Sequence, residues 1–433
     1  MGDRASVALT PPAAVLKIVE RLERAGHEAW CVGGAVRDAL LGHLHLDWDI
    51  TTAARPDQVR RLFKRSIPVG IEFGTVGVLD GDGVLHEVTT FRRDVRTDGR
   101  HAEVEFGVSL DDDLARRDFT INAMAYSPSR GELRDPFDGR GDLRRRIVRA
   151  VGEPGERMRE DRLRALRALR FASRFEFTID AGTWIAIKDS APHLTRLSAE
   201  RVKQEIEKTL QQVARPSVAF MMWRESGAFA TLVPLLSDVS THRFHVTDAL
   251  PMPSLRTRPA RKVLRLASLF LGDPVADVRE ALRQLRFSNQ DVDSVTRLCD
   301  GWSAIGPDIA SALEGERPAD GRIRRWVAQV GRTQWTLVMR LGAAVWWAQR
   351  ERGERAPSAA GVHSLYRRGV RIAFRDPVAL ADLAVDGDDV RAAGVAPGPA
   401  IGRTLSRLLD IVVEDPTQNQ RDVLLAIVKR ELR

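Results

Sequence analysis

The stretch that decides the fold is Gly33-Gly34-Ala35-Val36-Arg37-Asp38, with Asp47-Trp48-Asp49 downstream of it. Ahead of it, Glu28 to Val32 reads as a short strand, and the glycine pair turns that strand into a short helix running through Leu41. Asp47 to Thr51 reads as a second strand. Residues i and i+2 of a strand share a face, so Asp47 and Asp49 stand side by side. Two carboxylates that close repel each other unless a cation lies between them. Mg²⁺ suits such a place, because it takes carboxylate oxygens together with substrate phosphates. An Asp-x-Asp pair alone also describes a solvated strand edge, and a glycine pair alone an ordinary tight turn. Together they read differently, since backbone amides at a strand-to-helix junction bind phosphate. Arg37, on the first helical turn, reaches toward the same triphosphate as a forked donor.

Working outward, Pro12 to Arg24 carries Val15, Ile18, Val19 and Leu22 at helical spacing, with Gly26 as the stop. Thr75 to Leu79 and Val84 to Phe91 read as a hairpin around Asp80-Gly81-Asp82-Gly83. Glu87 shares a face with Leu85 and Thr89; it is either a surface strand residue or the third carboxylate that two-metal phosphoryl transfer calls for. Arg116-Arg117-Asp118-Phe119-Thr120-Ile121-Asn122-Ala123 places two arginines ahead of an apolar run, which suits contacts to a triphosphate and a ribose. Asp118 either holds Arg117 or meets a ribose hydroxyl. The competing reading, a helix start with a basic first turn, is disfavoured by the helix dipole.

After Asp142 strand signals thin out and helical periodicity takes over. Glu160-Asp161-Arg162-Leu163-Arg164 opens a helical run through Ala172, with Arg164, Arg167 and Arg170 recurring every third residue and Leu163, Leu166 and Leu169 on a neighbouring face. Asp161 beside Arg164 offers acceptors and forked donors to the Watson–Crick edge of a base, while the other arginines face phosphates. A solvated face with an intrahelical ion pair fits the same spacing.

Composition sets the frame. A chain of 433 residues divides into several domains, and its 43% apolar content is that of a globular protein. The excess of 67 Lys and Arg over 59 Asp and Glu favours a polyanionic partner. Cys31 and Cys299 are far apart, which speaks against a zinc site or a disulfide framework and for a reducing, cytoplasmic location. The N-terminus lacks a signal-peptide pattern. Trp335 to Ala348, interrupted by Arg340, reads as a buried helix rather than a membrane span.

Taken in order, these segments resemble the class II tRNA nucleotidyltransferases, the CCA-adding enzymes, and their relatives the bacterial poly(A) polymerases. Glu87-Val88-Thr89-Thr90-Phe91-Arg92, Thr97-Asp98-Gly99-Arg100-His101-Ala102 and Asp135-Pro136-Phe137-Asp138-Gly139 extend the match, which covers roughly residues 28 to 180. The resemblance implies an α/β nucleotidyltransferase head, a small mixed sheet with helices, followed by an all-helical neck, body and tail. The boundaries expected are 1–145 for the head, 146–212 for the neck, 213–330 for a degenerate HD-like body and 331–433 for a tRNA-binding tail. It implies that Asp47 and Asp49 bind two Mg²⁺ ions, with Glu87 as the third carboxylate. Gly34, Arg37, Arg117, Asp118 and Asn122 would lie around the incoming nucleotide. Asp161 and Arg164 would select CTP and then ATP, with Arg167 and Arg170 completing the pocket. Asp98, Gly99 and Arg100 would form the flexible loop needed for the final A. The tRNA would be held by its acceptor and T arms, with neither a membrane nor a protein partner. His245 and Asp248 lie near an HD-like start, but Leu271-Gly272 replaces the metal-binding His-Asp doublet, so no phosphohydrolase activity is expected. The competing functions are a poly(A) polymerase, whose C-terminal extension is usually longer and more basic, an A-adding half-enzyme, and a non-catalytic RNA-binding protein.

Overall fold

The computed structural model describes residues 9–43, 47–97, 102–251, 258–315 and 317–432. Asp98, Gly99 and Arg100 lie outside the described residues. The chain divides into two compact units, one of residues 1–209 with 221–237, the other of 210–220 with 238–433.

The first unit opens with α1 (Ala13–Arg24), whose Val15, Ile18, Val19 and Leu22 are buried as their spacing predicts. Then come β1 (Ala29–Val32), α2 (Gly34–Leu40), β2 (Asp49–Thr52), α3 (Pro56–Leu62), β3 (Ser66–Gly70), β4 (Thr75–Leu79), β5 (Leu85–Thr90), β6 (Arg92–Thr97), β7 (Ala102–Phe106) and α4 (Leu110–Ala115). β8 (Ala125–Ser127), β9 (Glu132–Arg134) and α5 (Gly139–Arg145) complete the α/β part. Seven strands form one mixed sheet in the order β3-β4-β5-β2-β1-β8-β9, while β6 and β7 pair separately. β2 runs antiparallel to β1 and parallel to β5, with Val32 opposite Asp49 and Ile50 opposite Val88. This register sets the aspartate strand beside both the end of β1, where the glycine turn begins, and the strand that carries Glu87.

The sheet is larger than the sequence pattern suggests, and β2 starts at Asp49 and ends at Thr52 rather than spanning Asp47 to Thr51. β8 and β9 are three residues each, too short to show a period of two, and β3 contains Pro68 and leaves Ile67 and Val69 exposed. The apolar run after Phe119 is not a helix. It is a 3-10 turn over Thr120–Asn122 that feeds β8. Arg116 caps the C-terminal end of α4, where the helix dipole favours a cation.

The arginine stripe departs from the run its spacing predicts. Glu160 to Ala172 is not one helical run: a helix over Pro154–Glu160 ends at Asp161, and another begins at Leu163 and runs to Phe175. Asp161 has extended dihedrals, φ −146° and ψ 105°, and its Oδ1 accepts from the Leu163 amide at 3.0 Å. That local bond is the familiar way an Asp side chain competes with helical pairing. Leu163, Leu166 and Leu169 are buried as predicted, each contributing about 1.5–3 kcal/mol relative to exposure.

The second unit is helical among its described residues. Trp335 to Ala348 falls inside the helix Arg332–Glu351, with Trp335, Val338, Met339, Leu341 and Trp346 buried. Arg265 is also buried and donates to the carbonyls of Leu210, Val213 and Leu250 at 2.6–3.0 Å. Asp248 accepts from the amide and hydroxyl of Ser217 at 3.0 and 2.6 Å, with His245 Nδ1 3.8 Å away. Asp273 takes the Arg243 guanidinium at 2.6 Å. Val390, Leu408, Val412, Leu424 and Val428 form a small core near the C-terminus.

Candidate active site

Alternation along the aspartate segment holds. Trp48 is buried, whereas Asp47 and Asp49 are exposed on either side of it. With Ile50 level with Val88 in parallel strands, Asp49 stands level with Glu87, also exposed. Asp49 titrates at about 6, above an ordinary carboxylate. The causes are partial desolvation, then repulsion from Asp47 and Glu87, with Arg117 opposing. Asp49 is nonetheless exposed at the surface, so the protein around it shields it only in part. The three acids are therefore neighbours in electrostatic terms. No group of three or more His, Cys, Asp or Glu residues already converges on a single ion position among the described residues. Mg²⁺ does not need a complete protein cage, because it keeps waters and takes phosphate oxygens.

Gly33 sits at φ +71°, a left-handed value that favours glycine, and its amide donates to the Met124 carbonyl at 3.2 Å. A Cβ at Gly33 would lie 2.7 Å from Nη1 of Arg117. The missing side chain thus opens the path that brings Arg117 across the turn toward Asp49. Asp113, fully buried, anchors Arg117 Nη2 at 3.3 Å and Arg116 Nε at 3.0 Å. Burial disfavours ionised Asp113, but the two guanidiniums outweigh it and hold its carboxyl below the usual range. Arg117 Nε is buried without a hydrogen-bond partner. A buried unmet donor beside a carboxylate cluster and a glycine turn suits an incoming phosphate oxygen.

Arg37 is sunk in the interior, not open at the surface. It donates to Asp38 at 2.7 Å and to Asn122, and its guanidinium lies 4.6 Å from the Phe175 ring centroid and 5.1 Å from that of Phe171. Asn122 in turn donates to Asp118 Oδ1 at 2.9 Å, and Asp118 Oδ2 takes Arg167 Nε at 2.8 Å. Asp118 therefore holds Arg167 and Asn122, whereas Arg117 is held by Asp113. Burial alone would raise the Asp118 pKa; Arg167 and the Asn122 bond reverse this and lower it.

The stripe residues each find a protein partner. Arg164 donates to Glu160 at 2.6 Å and to the carbonyls of Arg157 and Arg116, both at 3.0 Å. Asp161 meets Arg201 at 2.7 Å rather than pairing with the Arg164 guanidinium, its other carboxylate oxygen being taken by the Leu163 amide at the helix break. Arg170 is buried against Glu205 at 2.7 Å and lies over Phe171. Glu160, Asp113, Arg201, Glu205, Phe171 and Phe175 contact these residues and were not singled out by spacing. Glu160 was findable, standing four residues ahead of Arg164, a spacing that brings the two together even though a helix break lies between them. Asp113 stands three and four residues ahead of Arg116 and Arg117, and Phe171 lies within the stripe itself, whereas Arg201 and Glu205 come from distant sequence and carry no local signal.

Residues 29–149 match the Poly A polymerase head domain, and residues 176–239 match the family described as the probable RNA and SrmB-binding site of polymerase A. The CCA-adding enzyme of Geobacillus kaustophilus is 35% identical over 421 residues, 95% of each chain. That of Enterococcus faecalis is 35% identical over 422 residues, 96% of this chain and 95% of its own. Among solved structures, the Bacillus stearothermophilus CCA-adding enzyme in complex with CTP matches with a TM-score of 0.77 at 32% identity, covering 98% of both chains.

Proposed function

The chain belongs to the CCA-adding enzyme family, and from that premise we propose that it adds C, C and A to the 3′ end of tRNA from CTP and ATP, releasing pyrophosphate without a nucleic-acid template. The observation that carries this reading is the alignment of Asp47, Asp49 and Glu87 beside the Gly33 turn, with Arg117 presenting an unmet buried donor to the same place.

A divalent metal fits these residues, since desolvation and then repulsion from Asp47 and Glu87 push Asp49 up to about 6, and a cation would relieve that repulsion. We read the metal as Mg²⁺, two ions held by Asp47 and Asp49 with Glu87 beside them. When bound, the ions lower the pKa of the RNA 3′-hydroxyl and stabilise charge on the leaving pyrophosphate. The protein's own groups do the rest. Arg117 and the turn at Gly34 receive phosphate oxygens. Arg37, clamped by Asp38, Asn122 and two phenylalanine rings, keeps the turn and the helix behind it in register. Asp118 and Arg167 brace Asn122 from the other side.

Base choice falls to Asp161 and Arg164. Their present partners, Arg201 and Glu160, are exchangeable for a base edge that offers the same donors and acceptors. Arg170, paired with buried Glu205, fixes the floor under Phe171. The division of labour proposed is a catalytic head at 1–145, a nucleotide-selecting neck at 146–212, a body at 213–330 and a tRNA-holding tail at 331–433. Among the described residues no helix is long and apolar enough to cross a membrane. A protein acting on tRNA belongs in the cytoplasm on this reading.

The test is incubation with a tRNA that ends before its CC, given CTP, ATP or both. Ordered addition of two C residues and one A supports the proposal. Long A tails point to a poly(A) polymerase, A addition only onto a CC end to a half-enzyme, and RNA binding without incorporation to a non-catalytic protein.

A further inference from the structure

The helix Arg332–Glu351 is more than a core helix. Arg340, Ala343, Ala344, Trp347 and Arg350 recur at intervals of three and four, so they share one face. That face borders a cavity of about 430 Å³, closed on the other side by Leu250, Arg261 and Leu264. The alanines leave the hollow, the arginines stand around it, and no acidic residue lines it among the described residues. Trp346 and Trp347 diverge. Trp346 is buried edge-on to Trp302 at 5.2 Å, whereas Trp347 keeps 38% of its surface exposed at the cavity. Arg340 is exposed and forms no ion pair among the described residues. Charge in the facing segment points the same way: Ala249 to Gly272 contains no Asp or Glu. An exposed indole beside several guanidiniums in a hollow the size of a mononucleotide is the arrangement that stacks a base and holds its phosphate.

We propose that this pocket binds one unstacked nucleotide of the tRNA substrate, the base against Trp347 and the flanking phosphate on Arg340 with Arg261. The proposal rests on the reading of the chain as a tRNA-extending enzyme and adds a contact that no residue of the carboxylate cluster makes. Charge complementarity selects RNA over an apolar partner: the exposed Arg340 guanidinium, in a wall with no acidic residue among its described lining, disfavours burial by a hydrophobic surface and favours a polyanion.

The test uses the full chain and a tRNA transcript lacking its last three nucleotides. Equilibrium binding and steady-state incorporation are measured for wild type, Arg340→Glu, Trp347→Ala, Trp347→Phe and Arg340→Ala. The first two should weaken tRNA binding about tenfold and raise KM for tRNA equally, with kcat and KM for CTP unchanged. Trp347→Phe should restore most of the affinity, and Arg340→Ala should reduce the salt dependence of binding by about one counterion. Wild-type affinity in both Arg340→Glu and Trp347→Ala overturns the proposal. So does Trp347-dependent fluorescence quenching by CTP or ATP alone, which would make the pocket a free-nucleotide site. A concentration-dependent dimer lost in these variants also overturns it, since a second copy would then cover the face. Binding is read without catalysis, so a wild type that holds tRNA but cannot extend it refutes the enzyme reading and leaves the pocket measurable.

Discussion

Arg37 and Asn122, 85 residues apart in sequence, share a buried hydrogen bond in which the guanidinium donates to the amide oxygen. Asn122 links Arg37 to Asp118, and through it to Arg167. Asn122→Ala leaves a buried guanidinium short of an acceptor, a loss of about 1–3 kcal/mol. KM for CTP and for ATP should rise together by roughly tenfold, while tRNA affinity stays as in wild type. A change confined to one nucleotide would show that Asn122 reads the base rather than bracing the turn.

Gly33 carries two burdens, a positive φ and the close passage of Arg117. Gly33→Ala strains the backbone by about 1–2 kcal/mol and collides with the guanidinium. We expect incorporation to fall by at least about a hundredfold with the circular dichroism spectrum unchanged. Arg117→Ala in the same background should cost little more, because Arg117 would already be displaced. Additive losses from the two substitutions would separate the turn from the arginine.

The part of this site that the sequence reveals is local. Asp47, Trp48 and Asp49 follow a period of two, and Val15 to Leu22 a period of 3.6, so short-range geometry places them. What stays hidden is of two kinds. Partners joined across long separations, such as Arg37 with Asn122 or Arg170 with Glu205, depend on strand order and helix docking, which no window of sequence encodes. Competition within a few residues is the other kind. Asp161 lies in a stretch whose apolar spacing continues through it, yet one side-chain bond to the Leu163 amide ends the helix. Spacing put Asp161 beside Arg164; the break gave it Arg201 instead.

That exchange makes a prediction about selectivity. Arg164 is held by Glu160 and two carbonyls, so Arg164→Ala removes base-edge donors and also loosens the end of α4 at Arg116. Discrimination of CTP over UTP should fall about tenfold or more, corresponding to roughly 1–3 kcal/mol of lost readout, before overall turnover is lost. Glu160→Gln, which keeps shape and removes charge, should give a milder loss. An unchanged preference in competition assays with both nucleotides would remove Arg164 from base selection.

Cys31 and Cys299 are both buried, and burial pushes each thiol up to about 12. At pH 8 almost no thiolate is present, and thiolate is the species that alkylates. Iodoacetamide should therefore label neither residue in the native protein within hours, and label both on adding denaturant. Rapid native labelling followed by mass spectrometry would show that the strand bearing Cys31 opens readily.

Asp49 gives the sharpest test because stability and activity should move in opposite directions. Its carboxyl titrates at about 6 in the fold, above the roughly 3.9 expected in the unfolded chain. The folded state thus binds the extra proton between about pH 4 and pH 6, so stability falls as pH rises through that window and stays lower above it. The residue is exposed, and solvent screening reduces the penalty at pH 7 to about 1 kcal/mol. In the presence of a chelator, Asp49→Asn should therefore raise the melting temperature at pH 7 by about 2 °C and leave it unchanged near pH 4. A divalent cation should stabilise wild type and have little effect on the variant. Incorporation by Asp49→Asn should be abolished, with tRNA affinity nearly intact. A variant that melts below wild type at pH 7 without metal would mean that Asp49 is held by a structural partner, and the acidic array would lose its place as the cation site.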